Sequence, residues 1–306
     1  MRVLPVALFI AVGIICYQPH AVAQGTAFEP LNIGVNPEAG AMGDTHVATA
    51  DDAYAPFWNP AGLASNPKNT AAVAHHIWVG TSRTYALASQ IALSNVVSGG
   101  VFILASGIGL TSATDGSTIS GENVESIVAG IAISRRVGPL KAGFSGKLLS
   151  ERIIATPSRG FAVDFGLQAA SSDESFRVGV SLLNVGRMSE VSAIITELPT
   201  TLRAGLAVYP FRVISYDDAE DLLNAHFAFE VSRILPEDQT RIHFGVAAQV
   251  LELVTGRAGF VTNDDLRGFT AGLGLDVAPL RFDYALVQFS QGFGGPGHQL
   301  SLLYSW

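Results

Sequence analysis

From residue 69 onward the chain is a succession of segments about ten residues long in which apolar side chains alternate with small or polar ones. A period of two is the mark of a strand. In one such segment Phe161, Val163, Phe165, Leu167 and Ala169 alternate with Ala162, Asp164, Gly166 and Gln168; in another Ile242, Phe244, Val246, Ala248 and Val250 alternate with Arg241, His243, Gly245, Ala247 and Gln249. Leu273 and Leu275 are set against Gly272, Gly274 and Asp276, and Phe282 and Tyr284 against Arg281 and Asp283. No window has a convincing helical period. The segments fall at 69–79, 83–93, 98–107, 124–136, 139–152, 159–170, 174–184, 200–209, 223–233, 241–250, 252–262, 268–277, 279–289 and 297–306, fourteen in all.

Such an array suits a soluble sandwich, a propeller or a transmembrane barrel, and the less apolar face of each strand chooses among them. A face in water carries Lys, Glu and Thr in quantity. Here it is mostly Gly, Ala and Ser with isolated charges such as Asp164, Arg177, Arg203, Glu230, Arg257 and Asp276, which suits a crowded lumen and leaves the apolar face for lipid. Composition agrees, because 14% charged residues is well below the quarter usual in soluble proteins while 48% are hydrophobic. A disordered chain is excluded by the same apolar content. A helical bundle is excluded after the first two dozen residues, because no run of about 18 apolar residues follows.

The expected fold is therefore an all-β, fourteen-stranded antiparallel outer-membrane barrel. Ten-residue strands match a tilted crossing, and the strand count is even. The final strand ends with Leu300, Leu302, Tyr304 and Trp306 on one face and Ser301 and Ser305 on the other, resembling the C-terminal signal read by the outer-membrane insertion machinery. If both termini are periplasmic, the long connections 108–123 and 185–199 lie outside, and most of the inside connections are short, at 94–97, 137–138, 171–173, 251 and 278. Residues 210–222 break that pattern: they are long and expected to be periplasmic, and they bring together Asp217, Asp218, Glu220 and Asp221. This is either a solvated loop or a docking element for a periplasmic partner. The acidic spacing does not match a calcium-binding EF-hand loop. An arginine at outward Phe165 or Phe282 should hinder insertion, and one at inward Gln168 should cost less.

Residues 1–23 read as a cleaved export signal: Arg2, an apolar run from Val3 to Cys16, and an Ala21-x-Ala23 cleavage pattern. A lipoprotein signal ending at Cys16 fits less well, because Ile15 is bulky where a small residue precedes such a cysteine. Cleavage removes Arg2 and the chain's one cysteine, leaving 17 basic and 26 acidic residues, a net charge of −9. No thiol remains for a disulfide or nucleophile, and an acidic product is poorly suited to nucleic acid.

Residues 24–68 lack strand alternation and are expected to fold into the lumen as a plug, ahead of a barrel at 69–306. Asn59 can cap, and Pro60 begin, a short helical turn that Gly62 soon weakens. Asp51 and Asp52 can pair with lumen arginines such as Arg203 or Arg257, and Trp58 suits a packing anchor of the plug or else a gate.

The segment Gly40-Ala41-Met42-Gly43, then Ala50-Asp51-Asp52-Ala53, then Trp58-Asn59-Pro60-Ala61-Gly62-Leu63-Ala64 resembles the PorV/PorQ family, relatives of the FadL long-chain fatty-acid transporters. The resemblance continues through Phe161–Leu167, Leu182–Gly186, Leu198–Leu206 and the final hairpin, and so covers nearly the whole chain beyond the signal. It implies a fourteen-stranded barrel with an N-terminal segment inside, serving type IX protein secretion and surface attachment by binding secretion-system proteins or surface-exported cargo. The chain is closer in length to PorQ-like members than to PorV-like ones. A FadL-like channel for hydrophobic small molecules is the alternative. No hydrolase elbow, phosphate loop, zinc-protease motif or nucleotide fingerprint occurs, so neither an enzyme nor a cofactor is expected. His75 and His76 point to opposite faces of a strand and cannot share an ion, and His243 suits a hydrogen-bonded wall residue.

Overall fold

The computed structural model describes residues 28–78, 82–111, 118–153, 156–189, 197–213, 223–264, 266–289 and 295–306. The expected signal at 1–23 and the acidic cluster Asp217, Asp218, Glu220 and Asp221 lie outside the described residues. Fourteen strands close into one antiparallel barrel in sequence order, with the first paired to the last. They are β1 (Thr70–Ile77), β2 (Arg83–Ala92), β3 (Val97–Thr111), β4 (Thr118–Val137), β5 (Leu140–Ile153), β6 (Thr156–Ala170) and β7 (Phe176–Met188). The circuit continues with β8 (Thr201–Val208), β9 (Leu223–Ile234), β10 (Gln239–Val250), β11 (Val254–Thr262), β12 (Arg267–Val277), β13 (Leu280–Phe289) and β14 (Gly297–Ser305). Closure runs from Thr70 opposite Ser305 to Ile77 opposite His298, so no strand edge is left unpaired along the seam.

Side-chain alternation sorts the wall as its period requires. Phe161, Phe165 and Leu167 are exposed outward while Ala162, Asp164 and Gln168 are buried inward, and Phe244 and His243 divide in the same way. Tyr304 and Trp306 lie outward with ring centroids 5.7 Å apart. Inward positions are small where the interior is crowded: Ala72, Ala74, Ala86, Ala88, Ala132 and Ala162 share one buried cluster with Tyr54, Trp58 and Leu63. The outer surface is a belt of exposed Leu, Ile, Val and Phe, which is stable against lipid and not against water.

Two expected connections are shorter than the alternation indicates. The connection expected at 108–123 is largely strand: Ile108 pairs with Val124, Gly109 with Asn123, and after an irregularity Thr111 with Thr118. The β3–β4 ribbon thus runs past the point where β2 ends, at Arg83 opposite Gly107. The connection expected from 185 begins later because β7 continues to Met188. The cause is a bulge: Asn184 has φ +61, the register slips between Val163 and Phe165, and the face of every later residue is inverted. A strict period of two stops reading at such a point.

Phe165 is half exposed on the outer face, 5.3 Å from the ring of Phe144. Phe165→Arg is expected to cost about 2–4 kcal/mol if it sits near the midplane. The check is folding into lipid vesicles read by heat-modifiable gel mobility, and an unchanged folded fraction would contradict the assigned outer face.

Candidate functional site

The interior is occupied by residues 28–68, which contain a five-residue α-helix, Pro37–Ala41, and 3-10 turns at Glu29–Leu31, Ala55–Phe57 and Pro60–Ala64. Local chemistry sets the two longer turns. Asn59 is extended, with φ −159° and ψ 103°, its side chain accepts from Ala61 N at 3.1 Å, and Pro60 opens the turn. Asn36 does the same for the α-helix, accepting from Glu38 N at 3.0 Å ahead of Pro37. The repeated Asn-Pro pair at 36–37 and 59–60 was a visible signal for both caps. The turn runs on past Gly62 to Ala64, and a β-carbon at Gly62 would overlap the Ala50 carbonyl.

The wall holds this segment through side chains. Asn59 Nδ2 donates to Val47 O at 2.8 Å within the segment and to Leu167 O at 3.0 Å on β6. Ser181 Oγ donates to Trp58 O at 2.7 Å and Ser134 Oγ to Ala61 O at 2.8 Å. Glu230 Oε2 accepts from both His46 N and Val47 N at 2.9 Å, while its other oxygen pairs with Arg203. His243 is hydrogen-bonded at both nitrogens: Nδ1 donates to Gly43 O and Nε2 accepts from the Ser232 hydroxyl, each at 2.7 Å. Trp58 is buried edge-on to His46, with centroids 5.3 Å apart, and Leu63 is fully buried. Three wall glycines mark the closest approach, since a β-carbon at Gly166 would overlap Asn59 Oδ1, one at Gly179 the Val47 carbonyl and one at Gly259 the Met42–Gly43 backbone.

Gln168 is not a tolerant inward position. Its amide donates to Val47 O at 3.0 Å and Ala50 O at 3.1 Å and accepts from Ser65 at 2.8 Å, so an arginine there would displace the segment.

Charge pairing also differs from expectation. Asp52 meets Arg281, and Asp51 lies 3.9 Å from Arg177; neither pairs with Arg203 or Arg257. Arg257 instead bonds Asp283 at 2.7 Å and approaches Glu38 at 3.6 Å, and Arg281 reaches Glu38 at 3.2 Å and Asp283 at 3.1 Å. The lumen charges are therefore not isolated but networked, and Glu38 and Asp44, which lie ahead of the first strand, are members that the strand pattern did not single out. Burial pushes the Glu38 carboxyl up, and the Arg257 and Arg281 guanidiniums overcome this to leave it below the usual carboxylate range. For Asp52 burial prevails, and its carboxyl is held above that range despite Arg281. At the other end of the segment Asp44 pairs with Arg267, which also meets Asp264 at 2.9 Å. On the wall, Lys147 and Asp164 form a buried pair at 2.9 Å, bridged by Asn184.

The space left beside the segment is uneven, and a cavity of about 290 Å³ borders Asp51, Asp52, Asn66 and Lys68. A cavity of about 220 Å³ lies at the end of the barrel carrying Trp306, between Glu38, Asp51, Arg177, His226, Arg257 and Arg281. Toward the opposite end two spaces of about 40 and 30 Å³ flank Asp44 and Arg203. Among the described residues no cluster of His, Cys, Asp and Glu is arranged to hold a metal. His76 is buried inward, while His75 lies on the outer face stacked on Tyr85.

No protein-family profile and no curated protein matches the chain. Solved structures do match in shape. The toluene transporter TbuX of Ralstonia pickettii superposes with a TM-score of 0.59 at 14% identity, over 89% of this chain and 97% of that one. The toluene transporter TodX of Pseudomonas putida superposes with a TM-score of 0.58 at 14% identity, over 89% and 98%. The chain has the fold of a bacterial outer-membrane β-barrel. At this identity the likeness speaks for the fold alone.

Proposed function

We propose that this barrel passes small hydrophobic molecules across the outer membrane and that residues 28–68 act as its removable plug. The observation that carries the reading is the way the segment is attached. Every hydrogen bond described between it and the wall uses a side chain, so it can leave without breaking a strand ladder. The shape shared with two toluene transporters supports the same reading. The test is initial uptake of labelled toluene by cells whose own hydrocarbon-transporting barrels have been deleted. Expression of the chain is expected to raise the rate, and an oxidised Ala61→Cys/Ser134→Cys pair, joining segment to wall, is expected to return it to background. A rate unchanged by expression rejects the reading.

A second reading, attachment or export of proteins by a type IX system, is favoured by one observation: at the end remote from Trp306 only spaces of about 40 and 30 Å³ are left between segment and wall beside Asp44 and Arg203, which suits a role performed on the outer surfaces. Recovery of a surface-exported protein with the intact chain from mild detergent, without hydrocarbon uptake, selects it.

A further inference from the structure

Two features of the outer wall adjoin one another on β2 to β7. One is an apolar recess of about 700 Å³ rimmed by Leu87, Ile103, Ile131, Leu148 and Phe161, with Gly146 contributing to its floor. A β-carbon at Gly146 would meet nothing within 4 Å, so a larger side chain there has room to enter the recess. In a bilayer such a recess has no hydrophobic drive of its own, because lipid tails are as apolar as the wall, and what it offers is close packing for a chain of matching shape.

The other feature is charge. Toward the end remote from Trp306, the outward positions of these strands carry Arg83, Arg152, Arg159 and Arg187 against the acid Glu125, and Glu125 is taken by Arg152. Arg83, Arg159 and Arg187 have no acidic partner among the described residues. Arg187 faces Phe161 in the ladder, with its guanidinium 5.7 Å from the ring centroid. Arg159 is two residues from Phe161 on the same face, about 7 Å along the strand. At the other end of the same strands the outward charge is Arg135. Unpaired guanidinium groups bordering hydrocarbon are costly, and phosphate oxygens satisfy their planar fork in two bonds at once.

We propose that this face of the barrel binds a phosphorylated glycolipid of the outer leaflet, of the lipid A type, with an acyl chain in the recess and a phosphate on Arg159 and Arg187. The leaflet follows from the barrel: five of the six connections at the Trp306 end, 93–96, 138–139, 171–175, 251–253 and 278–279, are short, which is the periplasmic pattern and puts the arginines outside. Phe161 joins the two halves, since its ring is both rim of the recess and platform for Arg187.

The test titrates the full chain in dodecyl maltoside with diphosphoryl lipid A, its dephosphorylated counterpart and phosphatidylglycerol, with bound lipid read by native mass spectrometry. Diphosphoryl lipid A is expected to bind at least about tenfold more tightly than the dephosphorylated form, and Arg159→Gln/Arg187→Gln to remove that advantage. Gly146→Leu, which fills the recess, should weaken all forms, and Arg135→Gln should change nothing. Heat-modifiable mobility verifies that each variant is folded; if the double variant is not, the two lipid A forms compared on the unmodified chain still decide. Equal binding of both forms, a preference for phosphatidylglycerol, or an equal loss in Arg135→Gln overturns the proposal.

Discussion

Deleting residues 40–64 is expected to leave a barrel that inserts normally and conducts ions, where the intact chain conducts little. The fourteen ladders lie wholly in the wall, so removing the segment breaks none of them. What is lost is the interior core around Trp58, Tyr54, Leu63 and Met42, together with the hydrogen bonds that Glu230 accepts and that Ser134, Ser181 and Gln168 donate. The inward alanines and glycines that fit the segment would then border water, and a fourteen-stranded wall lies between the filled eight-stranded barrels and the aqueous sixteen-stranded ones. Planar-bilayer current should rise at least about tenfold. Equal currents from intact and deleted proteins, both shown to be folded, remove the plug assignment.

The second large effect is expected at Arg281. This side chain contacts Glu38 in the α-helix, Asp52 in the following turn and Asp283 on its own strand, with one fifth of its surface exposed. Arg281→Gln leaves Asp52 with only the Tyr54 amide, at 2.8 Å, and places the whole burden of Glu38 and Asp283 on Arg257. Removing one partner from a buried ion pair costs about 3–5 kcal/mol, and the partial exposure argues for the lower end. The cost falls on docking of the segment and not on the wall, because no ladder depends on it. At about 1.4 kcal/mol per factor of ten, the undocked population rises about a hundredfold. Limited proteolysis within residues 28–68 should accelerate to match, with brief current openings in the bilayer. Cleavage at the unmodified rate would show that Arg281 is not the latch.

Both effects concern parts of the molecule that differ in how openly the chain announces them. Strand number and the outward placement of Phe161, Phe165 and Phe244 were legible because the side-chain period of a strand is two and lipid enforces it on one face. The Asn59-Pro60 turn was legible for a local reason: cap and turn lie within three residues. The same rule would have found Asn36-Pro37. By contrast, the fate of Gln168 was not legible, since being inward says nothing of whether water or the Val47 and Ala50 carbonyls stand opposite.

The alternation of residues 69–306 thus carried the barrel, its strand count and the inside and outside of most positions, all consequences of interactions that repeat every second residue. Three matters needed the folded chain. The bulge at Asn184 inverts the pattern by one residue, and Asn184 N reaches Asp164 Oδ1 on the neighbouring strand at 2.7 Å, a bond that no local period encodes. The β3–β4 ribbon extends through pairing between its own two strands after β2 has ended. Asp52 finds Arg281, 229 residues away, in preference to Arg203 or Arg257, because partner choice follows from where a closed wall brings inward side chains against a segment lodged within it. Charge and spacing in the chain specify which groups want partners; the circumference of the barrel specifies which ones they meet.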